Sequence, residues 1–299
     1  MASEQTRDRW ATWLLERRHG GDPEARQRAL EYLAPVRDRV LDGAVLEEGD
    51  VLLDVGCGEG LIGFGALARV GESGRVIFSD VSQDLLDLCH ELAVELDAGE
   101  RCRFVRASAE DLSAIADAST DAVTTRSVVI YIPRDNKPRA LAEFFRVLKR
   151  AGRLSMWEPI NSFAYPEPEH MLLGIEVSEI LPLVRKLKSV RNQLSADASL
   201  IDFDERDLLE WADRAGFSSI ELAYEAKIER GRVAWGSDAS WEAFRRAAPN
   251  PQAPSFAELM DRAFSPSERA EFEAYFIPKF ESRDGTSRSA HVHLKAVKC

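Results

Sequence analysis

The stretch VLLDVGCGEGLIG, Val51 to Gly63, carries a β-branched apolar run through an aspartate into a turn with glycine at every second position: Gly56, Gly58 and Gly60. A strand that passes through a tight glycine turn into a helix delivers a ligand at the carboxyl edge of an α/β sheet. The dinucleotide fingerprint GxGxxG sets its third glycine three residues after the second, with pyrophosphate resting on the helix N-terminus. Leu61 occupies that position here. Asp54 before the turn and Glu59 inside it add negative charge, which raises the cost of holding a pyrophosphate. The turn therefore reads as a cradle for a cofactor without phosphate. Asp54 is placed to meet a cationic group, directly or through water, and the N–H groups of the turn can receive a carboxylate.

A second acid supports this reading. Asp80 ends the strand-like run RVIFSD (Arg75 to Asp80), about 20 residues beyond the loop, the separation at which an acid accepts ribose hydroxyls. Val81 follows as an apolar neighbour suited to pack on a purine. The competing role for Asp80, capping the helix that starts near Gln83, is one that Ser82 or Asp84 could also fill.

From Val51 onward strand-like runs (VLLDV, RVIFSD, RCRFVRA, DAVTTRSVVIYI and GRLSMWEPI) alternate with helical patterns. In PRALAEFFRVLKRAG, Leu141, Phe144, Phe145 and Leu148 share a face, Pro138 suits the start and Gly152 the stop. Such alternation predicts an α/β fold, a doubly wound and mainly parallel sheet. Four regions are expected: an N-terminal helical cap (1–50), a Rossmann-like cofactor-binding core (51–160), a helical insert on the acceptor side (161–217), and two last strands (218–299) enclosing a helical insert at about 232–286. In the cap, Trp10, Trp13 and Leu14 fall at helical spacing, as do Leu30, Leu33 and Val36. They serve either as core packing or as a lid hinged at HGGD (His19 to Asp22). Arg185, Lys186, Lys188 and Arg191 form the one dense basic run, opposite an apolar stripe, and read as a solvated face or a binder of an acidic substrate.

At 299 residues, 45% hydrophobic and 30% charged, the chain can bury one sizeable core or two small ones. A net charge of -12 disfavours nucleic acid and anionic membranes as partners. No apolar run approaches the roughly 20 residues that span a bilayer, and MASEQTRDRW lacks a signal-peptide apolar region, so a cytoplasmic protein is expected. Cys57, Cys89, Cys102 and Cys299 show no CxxC spacing, and His291 and His293 lack a third partner nearby in sequence; no metal is expected.

These motifs, in this order from about Val51 to Pro159, resemble the class I S-adenosylmethionine-dependent methyltransferases. The resemblance implies seven strands with the last antiparallel, S-adenosylmethionine as cofactor, and a small-molecule acceptor enclosed by the N-terminal helices and the inserts. It places Asp54, Val55, Gly56, Cys57, Gly58 and Gly60 along the methionine part, and Asp80 and Val81 on the ribose and adenine. ASAEDL is similar to the family's loop after strand three, so Ser108, Ala109 and Glu110 border the adenine, although Ser108 stands where the family usually has Asp. Arg126 and Ser127, at the end of the fourth strand, neighbour the methyl-donor pocket. Methyl transfer is an in-line displacement that depends chiefly on alignment and desolvation. If the acceptor must lose a proton, the candidate bases at the carboxyl edge and on the first insert are Tyr131, Glu158 and His170, with Asn161 and Trp157 as acceptor contacts. Protein or RNA methylation, and cofactor binding without catalysis, are the alternatives.

Overall fold

Seven segments pair into one sheet in the computed structural model, which describes residues 7–194, 198–233 and 240–299. In chain order they are β1 (Val51–Val55), β2 (Arg75–Asp80), β3 (Cys102–Arg106), β4 (Thr120–Arg126), β5 (Leu148–Pro159), β6 (Ser219–Arg230) and β7 (Thr286–Val297). Their spatial order is β3-β2-β1-β4-β5-β7-β6. The pairings among β1 to β5 are parallel, and β7 runs antiparallel to both of its neighbours, as expected. The order reverses between β1 and β4, so their carboxyl ends open the crevice in which such sheets take ligands.

Both faces of this sheet are covered, which is why its central strands read as continuous apolar runs. Leu53, Val55, Val123, Leu154 and Met156 point into a core closed by α5 (Lys137–Val147) and α7 (Glu205–Ala215). The alternate positions Leu52, Phe78, Ala122 and Trp157 face α2 (Pro23–Gly43), α3 (Leu61–Val70) and α4 (Gln83–Glu95). A third core lies off the sheet. It joins α6 (Leu181–Leu194), α8 (Trp241–Arg246), α9 (Phe256–Ala263) and α10 (Pro266–Glu281) around Trp241, Phe244, Phe256, Phe272, Phe276 and Phe280. Thus α7, inside the expected insert 161–217, belongs to the sheet's flank, whereas α6 packs with helices of the second insert. Residues 234–239 of that second insert lie outside the described residues.

Two element ends differ from the sequence reading. DAVTTRSVVIYI leaves the sheet after Arg126: Ser127 adopts φ 55° and Val129–Tyr131 coil into a 3-10 turn. The helix expected to continue to Gly152 ends at Val147, where Leu148 pairs with Thr120 to begin β5. The arginine run is tied down locally, Arg185 to Glu169, Lys186 to Glu268, and Lys188 to the carbonyls of Glu169 and Met171, which is the solvated-face alternative. Among the described residues no helix is long and apolar enough to cross a membrane.

Candidate cofactor and acceptor site

The glycine turn is left-handed at all three positions, with φ of 66° at Gly56, 55° at Gly58 and 81° at Gly60. At Gly56 an added Cβ would lie 2.2 Å from Val128 Cγ2, so the β1 and β4 ends close on each other only with glycine there. Gly56 and Cys57 donate their N–H groups to the Ser79 carbonyl at 2.7 and 3.0 Å, fixing the loop to β2. The Gly58 N–H donates to Asp80 Oδ2 at 2.9 Å, and the Ser82 N–H to Asp80 Oδ1 at 3.0 Å. The cap of α4 is Ser82, whose Oγ accepts the Leu85 N–H, and Asp80 is left facing the loop.

Asp54 is equally well seated. Its Oδ2 accepts from the Gly63 N–H at 3.0 Å and its Oδ1 from Thr124 Oγ at 3.1 Å. Burial pushes Asp54 up to about 7 and also raises Asp80. Two buried carboxylates at one turn disfavour phosphate and favour a cation, which would stabilise their ionised forms. Glu59 points away and pairs with Arg26 of α2. The Cys57 thiol is held well above its ordinary value by a hydrogen bond with Cys89 and by burial, so it is a small protonated side chain and not a nucleophile. Val55 is buried at the end of β1, Val81 is exposed at the end of β2, and the Asp111 N–H donates to the Ser108 carbonyl, shaping the loop that carries buried Ala109 and half-buried Glu110.

On the other side of the crevice Glu158 is fully buried. Its carboxylate accepts the N–H groups of Val128, Val129 and Ile130 at 2.8, 3.0 and 3.3 Å, and burial pushes it up to about 7. From the opposite side, buried Lys137 donates to the carbonyls of Val129 at 2.8 Å and Ile132 at 2.6 Å. The loop is thus held at both polar edges of its backbone, which is why the β4 run breaks at Ser127. Glu158 thus holds the backbone of the loop that carries Tyr131. His170 is exposed in the insert, where its carbonyl accepts the Val177 N–H; Trp157 faces α2 with its ring 5.2 Å from that of His291. Neither is brought to the acceptor side with Tyr131. Asn161 opens the first insert, its carbonyl taking the N–H groups of Ala164 and Tyr165.

The N-terminal segment forms the roof. Its first helix, α1 (Arg9–Thr12), runs into a π-helical turn (Trp13–Arg17), and an added Cβ on Gly58 would meet Leu14 Cδ2 at 3.2 Å. Trp10 and Trp13 set their rings edge-on to Tyr131, 5.1 and 6.2 Å between centroids. One end is tied to α4, where Ser82 Oγ donates to Asp8 Oδ2 at 2.6 Å. The other is tied to the third core: Trp13 Nε1 donates to the Ala248 carbonyl and the Ala248 N–H to the Arg17 carbonyl, both at 2.9 Å, while Arg17 pairs with Glu258. Gly20, within the expected hinge, packs so closely on α8 that a Cβ would lie 2.2 Å from the Ala243 carbonyl oxygen. Asp8, Lys137 and the Ala248 contact carry no local signature in the sequence.

Comparison with known proteins follows this geometry. Residues 52–152 match the family model described as a methyltransferase domain. The chain is 40% identical over 102 residues to the ubiquinone/menaquinone biosynthesis C-methyltransferase UbiE of Nitrobacter hamburgensis, covering 34% of this chain and 39% of that protein. It is 27% identical over 195 residues to the arsenite methyltransferase of Halobacterium salinarum, covering 65% and 44%. It spans less than half the length of these relatives. Among solved structures, a geranyl diphosphate methyltransferase in complex with SAM superposes with a TM-score of 0.51 at 16% identity, over 94% of both chains. The doubly wound sheet with its glycine turn is an α/β fold that opens a ligand crevice at the β1 and β4 ends, and the stretch that builds this crevice is similar to a methyltransferase domain.

Two expectations follow. Glu158→Ala strands three buried N–H groups and should cost about 3 kcal/mol or more in urea denaturation, with Glu158→Gln costing much less. Equal losses for the two would contradict the positioning role. For Asp54, a folded value near 7 against 3.8 means the folded chain holds a proton that the unfolded chain releases. That stabilisation is complete below about pH 4 and is lost as pH rises through about 7, while a cation beside Asp54 binds more tightly over the same rise. Calorimetry should show S-adenosylhomocysteine affinity increasing from about pH 6 to about pH 8 in the wild type, and Asp54→Asn, with Glu158 intact, should flatten the increase. A wild-type affinity that does not change over that range counts against the assignment.

Proposed function

We propose that this protein is an S-adenosylmethionine-dependent methyltransferase whose acceptor is a small molecule, held beside Tyr131 and the roof formed by Trp10, Trp13 and Leu14. The observation that carries the reading is the pair of buried carboxylates that flank the glycine turn, Asp80 accepting the Gly58 N–H of the turn and Asp54 the Gly63 N–H in the first turn of α3. Those contacts use one lone pair of each Asp80 oxygen and leave others for ribose hydroxyls. The bound cofactor supplies a methyl group already activated by a sulfonium.

The chain's own residues provide what remains. Asp54 and Asp80 bind and orient, with Val81 and the Ser108–Glu110 loop at the purine end. Glu158 and Lys137 fix the loop that carries Tyr131, so alignment comes from groups already locked by hydrogen bonds. Leu14 and the two tryptophans exclude water. Tyr131 is the side chain we place beside the acceptor, where its hydroxyl can take or relay a proton when the acceptor requires it. The small-molecule assignment is supported by the roof, whose Leu14 packs over Gly58, and by the acidic net charge, which disfavours RNA. The relatives named above are an arsenite methyltransferase and a ubiquinone/menaquinone biosynthesis C-methyltransferase, which favours a small-molecule acceptor here too.

Asp80→Asn should weaken S-adenosylhomocysteine binding by about 1 to 3 kcal/mol in a calorimetric titration, the scale of lost hydrogen bonds to a charged group. An unchanged affinity in a variant with the wild-type circular dichroism and melting transition removes Asp80 from the site.

A further inference from the structure

Strand β4 ends on an arginine that forms no ion pair among the described residues. Arg126 is its last residue, and the only hydrogen bond it makes among the described residues runs to Ser127 Oγ at a long 3.4 Å. Burial, and next Arg18, push it down to about 10, while Tyr131, Glu158 and Asp54 act the other way, so all four groups lie within electrostatic reach. Both of those carboxylates are already engaged, Asp54 by Thr124 and Gly63 and Glu158 by three N–H groups. Arg18 likewise has no carboxylate partner among the described residues; it lies over the Trp13 ring at 5.2 Å. Of its neighbours on the roof segment, Arg9 also lies over a ring, that of Trp10, whereas Arg7 and Arg17 each meet a glutamate.

Two guanidinium groups in a partly desolvated crevice repel one another, and they repel a cationic cofactor as well. An anion between them reverses both terms. A carboxylate suits the planar fork of an arginine, which can receive it through two parallel N–H donors. The same crevice is bordered by Trp10, Trp13 and Tyr131, three rings set edge-on to one another, an arrangement that an aromatic ring can extend.

We propose that Arg126, with Arg18 facing it from the roof, recognises a carboxylate on the acceptor, and that the acceptor is a small aromatic acid lying against Trp10, Trp13 and Tyr131. The assignment rests on the methyltransferase reading and narrows its substrate class. The other carboxylate that could reach Arg126 is the one on the cofactor's amino-acid end, and the test separates the two.

Wild type, Arg126→Gln and Arg126→Lys are titrated first with S-adenosylhomocysteine and with methylthioadenosine, which lacks the amino-acid end. Each protein loaded with S-adenosylhomocysteine is then titrated with benzoate, phenylacetate and 4-hydroxybenzoate, each against its own amide. The expected result is that the loaded wild type binds at least one acid about tenfold more tightly than its amide, that Arg126→Gln abolishes this preference, and that Arg126→Lys keeps part of it. Acid and amide binding alike in the wild type, or neither binding, overturns the proposal. So does an Arg126→Gln variant that loses affinity for S-adenosylhomocysteine but not for methylthioadenosine, because that result gives Arg126 to the cofactor's own carboxylate. Failure of the wild type to bind S-adenosylhomocysteine removes the methyltransferase reading and this proposal with it, and is recognised before any acid is added.

Discussion

Burying a carboxylate beside a backbone turn is costly unless every oxygen finds a donor, and the site is organised around meeting that demand twice. Asp54 binds the first turn of α3 and strand β4; Asp80 binds the glycine loop and the first turn of α4. Each acid therefore joins two elements at the point where the strand order reverses. The left-handed glycines follow from the same requirement, since only a backbone without Cβ lets the turn approach Val128 and present the Gly58 N–H to Asp80. Two acids beside the turn favour a cationic group over a pyrophosphate there.

The facing side of the crevice is built by the same physics, with a buried lysine added. Glu158 collects the N–H groups of a loop and Lys137 its carbonyls, so the backbone between Val128 and Ile132 is held without belonging to the sheet. Tyr131 rides on that loop, and the roof packs onto Tyr131. Because the roof is hydrogen-bonded both to α4 through Asp8 and to the third core through Trp13 and Arg17, cofactor side and insert are linked across the crevice by one short helical segment.

Much of the core was legible because its signals are local. Glycine register, the aspartates at two strand ends and the alternation of apolar runs depend on residues within a few positions of each other, and they predicted the sheet and the glycine turn. The end of β4 was not legible: Val128 to Ile132 are as β-branched and apolar as the strand before them, and only the carboxylate of Glu158, about 30 residues on, draws their N–H groups away. For the same reason Glu158 resembled a base in sequence and is a structural acceptor in space. His170 and Trp157 sit near the right strand end in sequence, yet the insert carries one outward and strand alternation turns the other toward α2. Trp13 and Ala248 meet across 235 residues, a contact that helical spacing alone does not specify.

The central claim is that this glycine turn, with its two buried acids, takes a cationic cofactor free of phosphate. Calorimetric titration of S-adenosylmethionine, S-adenosylhomocysteine and NAD into the purified protein in one buffer tests it most directly. The account predicts micromolar-range binding of the first two and none of NAD; binding of NAD alone would contradict it and return the turn to the dinucleotide class.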